Sequence, residues 1–133
     1  MDPAPSARPG ILLVDDDAEI CQFLATLLDL EGFEPRIATH PDDAMAALAG
    51  AEAILIDLAM PEVDGFELCR RIRAAGFAKP IVIVSARPGA DLPAKATAAG
   101  ADEFVRKPFD NADLVARVRR HVRRQGRTDP AGR

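Results

Sequence analysis

The sequence of 133 residues contains no tryptophan and no tyrosine, so six phenylalanines are its whole aromatic content. It has only two cysteines, Cys21 and Cys69, too few for the disulfide framework of a small secreted domain. Its apolar runs, such as Ile11–Val14, are far shorter than the roughly 20 residues of a membrane helix, and its first residues lack the apolar segment of a signal peptide. These absences exclude membrane-spanning and disulfide-rich classes, and they predict a cytoplasmic protein with reduced thiols.

The charge is unevenly distributed along the chain. Residues 1–67 contain 15 Asp and Glu against 2 Arg, whereas residues 68–133 contain 6 acidic and 15 basic residues. This asymmetry predicts an acidic site in the first half and a basic flank at the end. No aromatic residue interrupts the terminal arginines, so we expect a solvent-exposed helix end and no nucleic-acid binding by this chain alone. These arginines are Arg117, Arg119, Arg120, Arg123 and Arg124.

Five short apolar runs alternate with five helical patterns. The predicted strands are Ile11–Val14, Pro35–Ala38, Ala53–Ile56, Ile81–Val84 and Glu103–Val105, and the predicted helices are residues 18–30, 41–49, 65–75, 92–99 and 111–124. Strands that are continuously apolar are typical of a parallel sheet covered on both faces, and right-handed crossovers place helices on each face. The pattern therefore predicts an α/β fold of the (βα)₅ type, a doubly wound five-stranded parallel sheet in a flavodoxin-like three-layer sandwich.

The composition of the two ends differs from that of this patterned region. Residues 1–9 contain three prolines and no periodic pattern, and residues 125–133 are similarly irregular. We expect one domain over residues 10–124, with a disordered lead-in at 1–9 and a disordered tail at 125–133. Cys21 and Cys69 fall on the first and third helices, which this fold places on opposite faces of the sheet, so we expect two separate core thiols.

Polar residues follow four of the five strands. Asp15 and Asp16 follow the first strand, Asp57 the third, Ser85 the fourth and Lys107 the fifth. Because the carboxyl ends of parallel strands meet at one edge of the sheet, these groups should converge there. Neighbouring carboxylates repel one another and favour a hard cation, of which Mg²⁺ is the best candidate. A carboxylate beside Mg²⁺, an ammonium group and a hydroxyl is suited to phosphoryl transfer to an aspartate.

The motifs at these strand ends resemble those of the receiver domains of two-component response regulators. They comprise ILLVDDD at 11–17, Asp57 with MP at 60–61 and DG at 64–65, VSA at 84–86, GAD at 100–102 and KPF at 107–109. The resemblance implies that Asp57 accepts a phosphoryl group from a sensor histidine kinase or a histidine phosphotransfer protein. It also implies a signalling domain rather than an enzyme, in which the fourth helix, fifth strand and fifth helix form the face that a downstream effector protein reads.

The same resemblance implies a role for each site residue. Mg²⁺ would be held by Asp16 and Asp57, by Asp15 through water, and by the backbone carbonyl of Ala59. Lys107 would pair with Asp57 before the reaction and with the phosphoryl group after it, and the Lys107–Pro108 peptide bond would be cis. Ser85 would be the switch hydroxyl, and Phe104 the aromatic residue that turns inward when Ser85 moves.

Several residues near the site have simpler interpretations. Asp17 is expected to be the N-cap of the first helix, and His40 and His121 are expected to be surface residues. The acidic and basic pattern of Asp102, Glu103, Asp113 and Arg117 resembles that of receivers that dimerise through the fourth helix, fifth strand and fifth helix. The fourth helix departs from that pattern, because Pro93, Ala94 and Thr97 stand where those receivers carry a basic residue and larger apolar ones.

The sequence leaves alternative functions open. The chain is either a natural single-domain regulator or the receiver fragment of a larger transcription factor of the winged-helix type. A phosphohydrolase with an Asp nucleophile, of the haloacid dehalogenase type, would need an Asp-x-Asp-x-Thr pattern after the first strand, and residues 15–19 lack the threonine. A flavodoxin-like cofactor binder would need a phosphate-binding loop where three aspartates stand.

Overall fold

The computed structural model describes residues 8–58 and 64–127, with side chains as far as residue 123. Strands and helices alternate along the described chain, as the apolar runs predict. The elements are β1 (Gly10–Val14), α1 (Ala18–Leu30), β2 (Glu34–Ala38), α2 (Pro41–Ala46), β3 (Ala53–Asp57), α3 (Gly65–Ala74), β4 (Ile81–Ser85), α4 (Leu92–Ala99), β5 (Glu103–Arg106) and α5 (Asn111–Arg127).

The five strands form one parallel sheet in the order β2-β1-β3-β4-β5. Successive residues of a strand point to opposite faces of the sheet. Thus Leu12 and Val14 pack into one core together with α2, α3 and α4, whereas Ile11 and Leu13 pack into a second core with α1 and α5. This is the predicted (βα)₅ three-layer fold. The order of the strands reverses direction between β1 and β3, and open α/β sheets bind their ligands at the carboxyl ends of the strands at such a reversal.

Several boundaries differ from the prediction. Each strand is one residue longer than its predicted apolar run, and Asp57, Ser85 and Arg106 are the last residues of their strands. The predicted helix 41–49 is instead α2 followed by a separate 3-10 turn at Leu48–Gly50. The third helix ends one residue early at Ala74, and α5 continues to Arg127, into the stretch expected to be a tail.

Other local expectations are confirmed. Asp17 caps α1, because its carboxylate accepts hydrogen bonds from the backbone N–H groups of Glu19 and Ile20. Cys21 and Cys69 are buried, free thiols. Phe23 departs from the sequence pattern: helical spacing predicts that it shares the apolar face of α1 with Leu24, Leu27 and Leu28, but it is 54% exposed. Among the described residues, no helix is both long enough and apolar enough to span a membrane.

Candidate functional site

The carboxyl ends of the strands bring together Asp15, Asp57 and Lys107. Val14 of β1 pairs with Ile56 of β3, so the residues that follow them, Asp15 and Asp57, lie side by side. Lys107 follows β5, and its Nζ lies 3.4 Å from Oδ2 of Asp57 and 3.8 Å from Oδ2 of Asp15. The Lys107–Pro108 peptide bond that turns the chain at this point is cis, as expected. One ammonium group therefore faces two carboxylates at the edge of the sheet.

Asp15 is the most buried of these three side chains. It is 6% exposed, and its Oδ1 accepts a hydrogen bond of 3.0 Å from the backbone N–H of Asp17. The pKa of Asp15 is raised from 3.8 to about 6: burial is the largest cause and the neighbouring Asp57 adds to it, whereas the Asp17 N–H and Lys107 act in the opposite direction. Below it, the Cys21 thiol donates to the backbone carbonyl of Asp15, and burial raises the pKa of that thiol to about 11, so it stays protonated.

The raised pKa of Asp15 predicts how stability depends on pH in Mg²⁺-free buffer. The folded chain binds a proton at Asp15 more tightly than the unfolded chain, so this contribution is fully present below pH 3.8 and is lost as the pH rises through about 6. The contribution of this group to the free energy of unfolding should be larger at pH 5 than at pH 7.5 by about 1 kcal/mol. Urea unfolding followed by circular dichroism should show this difference in the wild type and not in Asp15→Asn; parallel pH profiles for the two would contradict it.

The donor set fits a hard divalent cation. Asp15 and Asp57 supply carboxylate oxygens close together, and Asp16 next to them is exposed at the end of β1. Among the described residues, no three Asp, Glu, His or Cys side chains are already gathered as a complete metal centre. Mg²⁺ commonly binds through one or two carboxylates and keeps several waters, so two carboxylates with a carbonyl and water suffice. The expected carbonyl ligand, Ala59, lies outside the described residues.

Ser85 and Phe104 lie on the two strands beyond β3. The hydroxyl of Ser85, at the end of β4, is buried and accepts a hydrogen bond of 2.9 Å from the backbone N–H of Arg87. Phe104 is half-buried on β5 and packs against the core that α4 covers. Ser85 thus lies at the strand end next to the site, whereas Phe104 lies two residues further back on β5, opposite Ile83 of β4.

Gly65 allows α3 to begin directly against the strand end that carries the acidic site. Its N–H donates to the carbonyl of Leu58, and a Cβ at this position would lie 2.8 Å from both the carbonyl oxygen of Asp57 and Cα of Leu58. Those neighbours are backbone atoms, so they cannot move aside as a flexible side chain would. The side chain of Asp64, the N-cap of α3, accepts from the N–H of Phe66 and starts the helix here.

The close approach at Gly65 predicts a costly substitution. Gly65→Ala should lower the free energy of unfolding by about 1–3 kcal/mol, because the helix start or the end of β3 must shift. Denaturant unfolding monitored by circular dichroism measures the loss. Gly76→Ala serves as a comparison, since a Cβ there meets nothing within 4 Å and only the positive φ of 99° opposes it. If Gly65→Ala were as stable as the wild type, the backbone contact would not be limiting.

The surface formed by β5 and α5 differs from the sequence-based expectation. His121 is not a free surface residue, because its Nε2 lies 2.7 Å from Oε1 of Glu103 and its side chain is only 14% exposed. Arg117 bridges Glu103 and Asp113, and Arg120 lies 4.0 Å from Glu103. Part of the arginine cluster is therefore paired within the domain. The Arg117–Asp113 pair has the i,i+4 spacing of a helix, whereas the contacts of α5 with Glu103 on β5 have no such spacing in the sequence.

A family model for the response regulator receiver domain matches residues 11–119. The chain therefore belongs to the receiver domains of two-component response regulators, which are signalling domains and are generally not enzymes.

Curated relatives and solved structures agree with this assignment. Transcriptional regulatory protein PrrA of Mycobacterium tuberculosis is 40% identical over 124 residues, which cover 90% of this chain and 52% of that protein. Response regulator MprA of Mycolicibacterium vanbaalenii is 35% identical, covering 92% of this chain and 54% of that protein. The chain thus spans about half the length of these relatives. The receiver domain of the Francisella response regulator 1452 is 28% identical with a TM-score of 0.83, covering 89% of this chain and 99% of that one.

Proposed function

We propose that the chain accepts a phosphoryl group on Asp57, with Mg²⁺ bound, and passes the resulting signal to a downstream effector protein. The observation that supports this most directly is the placement of the Asp57 carboxylate 3.4 Å from the Lys107 ammonium and beside Asp15. The donor would be the phosphohistidine of a sensor histidine kinase or a histidine phosphotransfer protein. Residues 10–124 would form the receiver unit.

The chemistry assigns a distinct task to each residue. One carboxylate oxygen of Asp57 forms a bond to phosphorus, while the bond from phosphorus to the imidazole nitrogen of the donor breaks and its electron pair returns to that nitrogen. Asp57 thereby becomes an acyl phosphate. Lys107 offsets the negative charge, first of the two carboxylates and then of the phosphoryl oxygens. When bound by Asp16, Asp57, the Ala59 carbonyl and, through water, Asp15, Mg²⁺ would supply further positive charge to the phosphoryl group.

The response would begin at Ser85. Its hydroxyl can donate to a phosphoryl oxygen once the group is on Asp57, and that rotation would leave space for Phe104 to turn inward. The surface of α4, β5 and α5 would then change, and a partner that binds one form of this surface would shift the equilibrium between the two. PrrA is named as a transcriptional regulatory protein, which supports transcription control as the output of the whole protein to which this receiver would belong.

The proposal is tested by intact-mass spectrometry after incubation with acetyl phosphate. We expect one added phosphoryl group in the presence of Mg²⁺ and none in the presence of EDTA. Beryllium fluoride, which imitates the phosphoryl group without turnover, should bind under the same conditions. The absence of both the phosphoryl adduct and beryllium fluoride binding would overturn the proposal. Repeated turnover of a phosphate ester substrate would instead support the phosphohydrolase alternative.

A further inference from the structure

Arg106, the last residue of β5, holds the loop that joins β4 to α4. Its Nη1 donates to the backbone carbonyl of Arg87 at 3.0 Å, and its Nη2 donates to the carbonyl of Gly89. We define the β4–α4 loop as residues 86–91. The guanidinium group is planar and presents its donors in a rigid fork, so these two bonds fix the position of the loop relative to β5.

The same guanidinium group also covers Phe104. Its Cζ lies 5.3 Å from the centre of the Phe104 ring, within the range of a cation–π contact. Phe104 and Arg106 are two residues apart on one strand, so their side chains project from the same face of the sheet. A single cation therefore links the backbone of the β4–α4 loop to the half-buried aromatic residue of β5.

The loop has a further tether at Ser85. The N–H of Arg87 donates to Oγ of Ser85 at 2.9 Å, and the N–H of Lys107 donates to the carbonyl of Ser85 at 2.9 Å. Ser85 and Arg106 are also register partners in the sheet. When Oγ of Ser85 turns toward a group on Asp57, it must leave the N–H of Arg87, or the loop that carries Arg87 must move with it.

We propose that Arg106 is a positioning residue that latches the β4–α4 loop in the arrangement of the unphosphorylated chain. The inference rests on the proposed function and adds a regulatory residue to it. If the loop follows Ser85 toward Asp57, the carbonyls of Arg87 and Gly89 move away from a guanidinium group that is anchored on β5. The two hydrogen bonds of Arg106 then oppose the phosphorylated arrangement, and the chain binds a phosphoryl group or its mimic less tightly than it would without them.

The latch is tested by titrating the full chain with beryllium fluoride in the presence of Mg²⁺ and following backbone amide resonances by NMR. Arg106→Ala should bind the mimic about three- to ten-fold more tightly than the wild type, because two solvent-exposed hydrogen bonds together contribute about as much as one ordinary buried bond. The Arg87 amide of the unliganded variant should shift toward its position in the liganded wild type. Arg106→Lys keeps the charge but lacks the planar fork, so it should fall between the two.

Arg71→Ala is the matched control, because that guanidinium group contacts Glu67 of its own helix and should change neither readout. Equal affinity of Arg106→Ala and wild type, within two-fold, together with an unshifted Arg87 amide would overturn the latch, as would weaker binding by Arg106→Ala. Full restoration of wild-type behaviour by Arg106→Lys would show that charge alone acts and would overturn the role of the fork. Failure of the wild type itself to bind the mimic would refute the proposed function, and the latch with it.

Discussion

Asp57→Asn should abolish phosphoryl acceptance from acetyl phosphate, lowering the rate by at least about 1,000-fold. The amide has nearly the shape of the carboxylate but lacks its negative charge and its nucleophilic oxygen. Asp57 is the proposed acceptor because it lies at the end of β3, beside Asp15 and Lys107. Intact mass after incubation with acetyl phosphate and Mg²⁺ measures the effect.

Asp43→Asn is the control for this experiment, because Asp43 is an exposed carboxylate in the first turn of α2. That variant should accept one phosphoryl group at the wild-type rate. An adduct on Asp57→Asn would mean that another residue accepts the phosphoryl group, and fragmentation of the labelled protein would locate it. Circular dichroism of both variants establishes that a lost adduct does not reflect a lost fold.

The fold could be predicted from the sequence because its apolar runs carry the main signal. Three of the five strands, β1, β3 and β4, are almost wholly buried between the two layers of helices, so nearly every residue in them is apolar. The errors fall where that signal ends. Asp57 and Ser85 pair with the neighbouring strands through their backbones, although their side chains are polar. A strand predicted from its apolar residues therefore ends one residue too early. The division of α2 from its 3-10 turn lies in an alanine-rich stretch with no stop signal.

The buried stripe of α1 shows a different limit. Residues 20, 23, 24, 27 and 28 all satisfy helical spacing, and periodicity predicts that they share one core face. In the structure the buried stripe is centred on Cys21, Leu24 and Leu28, which rotates Phe23 to the edge and leaves it exposed. The rotation of a helix about its own axis depends on how the helix packs against the sheet. Hydrophobic periodicity predicts this rotation only to within about one residue position.

The positions of the site residues could be predicted more accurately than their partners. Ligands bind at the carboxyl ends of parallel strands, and this rule alone predicts that Asp15, Asp57 and Lys107 converge at one edge of the sheet. In contrast, the partners of His121 and Arg106 come from distant parts of the chain. His121 of α5 pairs with Glu103 of β5, 18 residues earlier. Arg106 of β5 donates hydrogen bonds to Arg87 and Gly89 in the loop that follows β4. Contacts of this kind depend on tertiary geometry and leave no spacing pattern in the sequence.

Lys107→Ala should slow phosphoryl acceptance by about 100-fold while tightening the binding of Mg²⁺. The two effects have opposite signs because the ammonium group performs two functions. In the proposed transfer it offsets charge on the phosphoryl oxygens, so its loss should raise the barrier. It also competes with a cation for the carboxylates of Asp15 and Asp57, which lie 3.8 and 3.4 Å away, so its loss leaves them more attractive to the metal.

Rates of adduct formation at saturating Mg²⁺ and isothermal titration calorimetry with Mg²⁺ separate these two functions. Lys107→Arg should not restore the rate, because the larger planar group cannot occupy the place of a compact ammonium. A slower rate with weaker Mg²⁺ binding would point to general damage of the site and contradict the assignment.

The same substitution should also affect stability in Mg²⁺-free buffer. Lys107→Ala should lower the free energy of unfolding more in the wild-type background than in the Asp57→Asn background, because only the wild type retains both repelling carboxylates. This non-additivity in urea unfolding would measure the coupling between Lys107 and Asp57 directly.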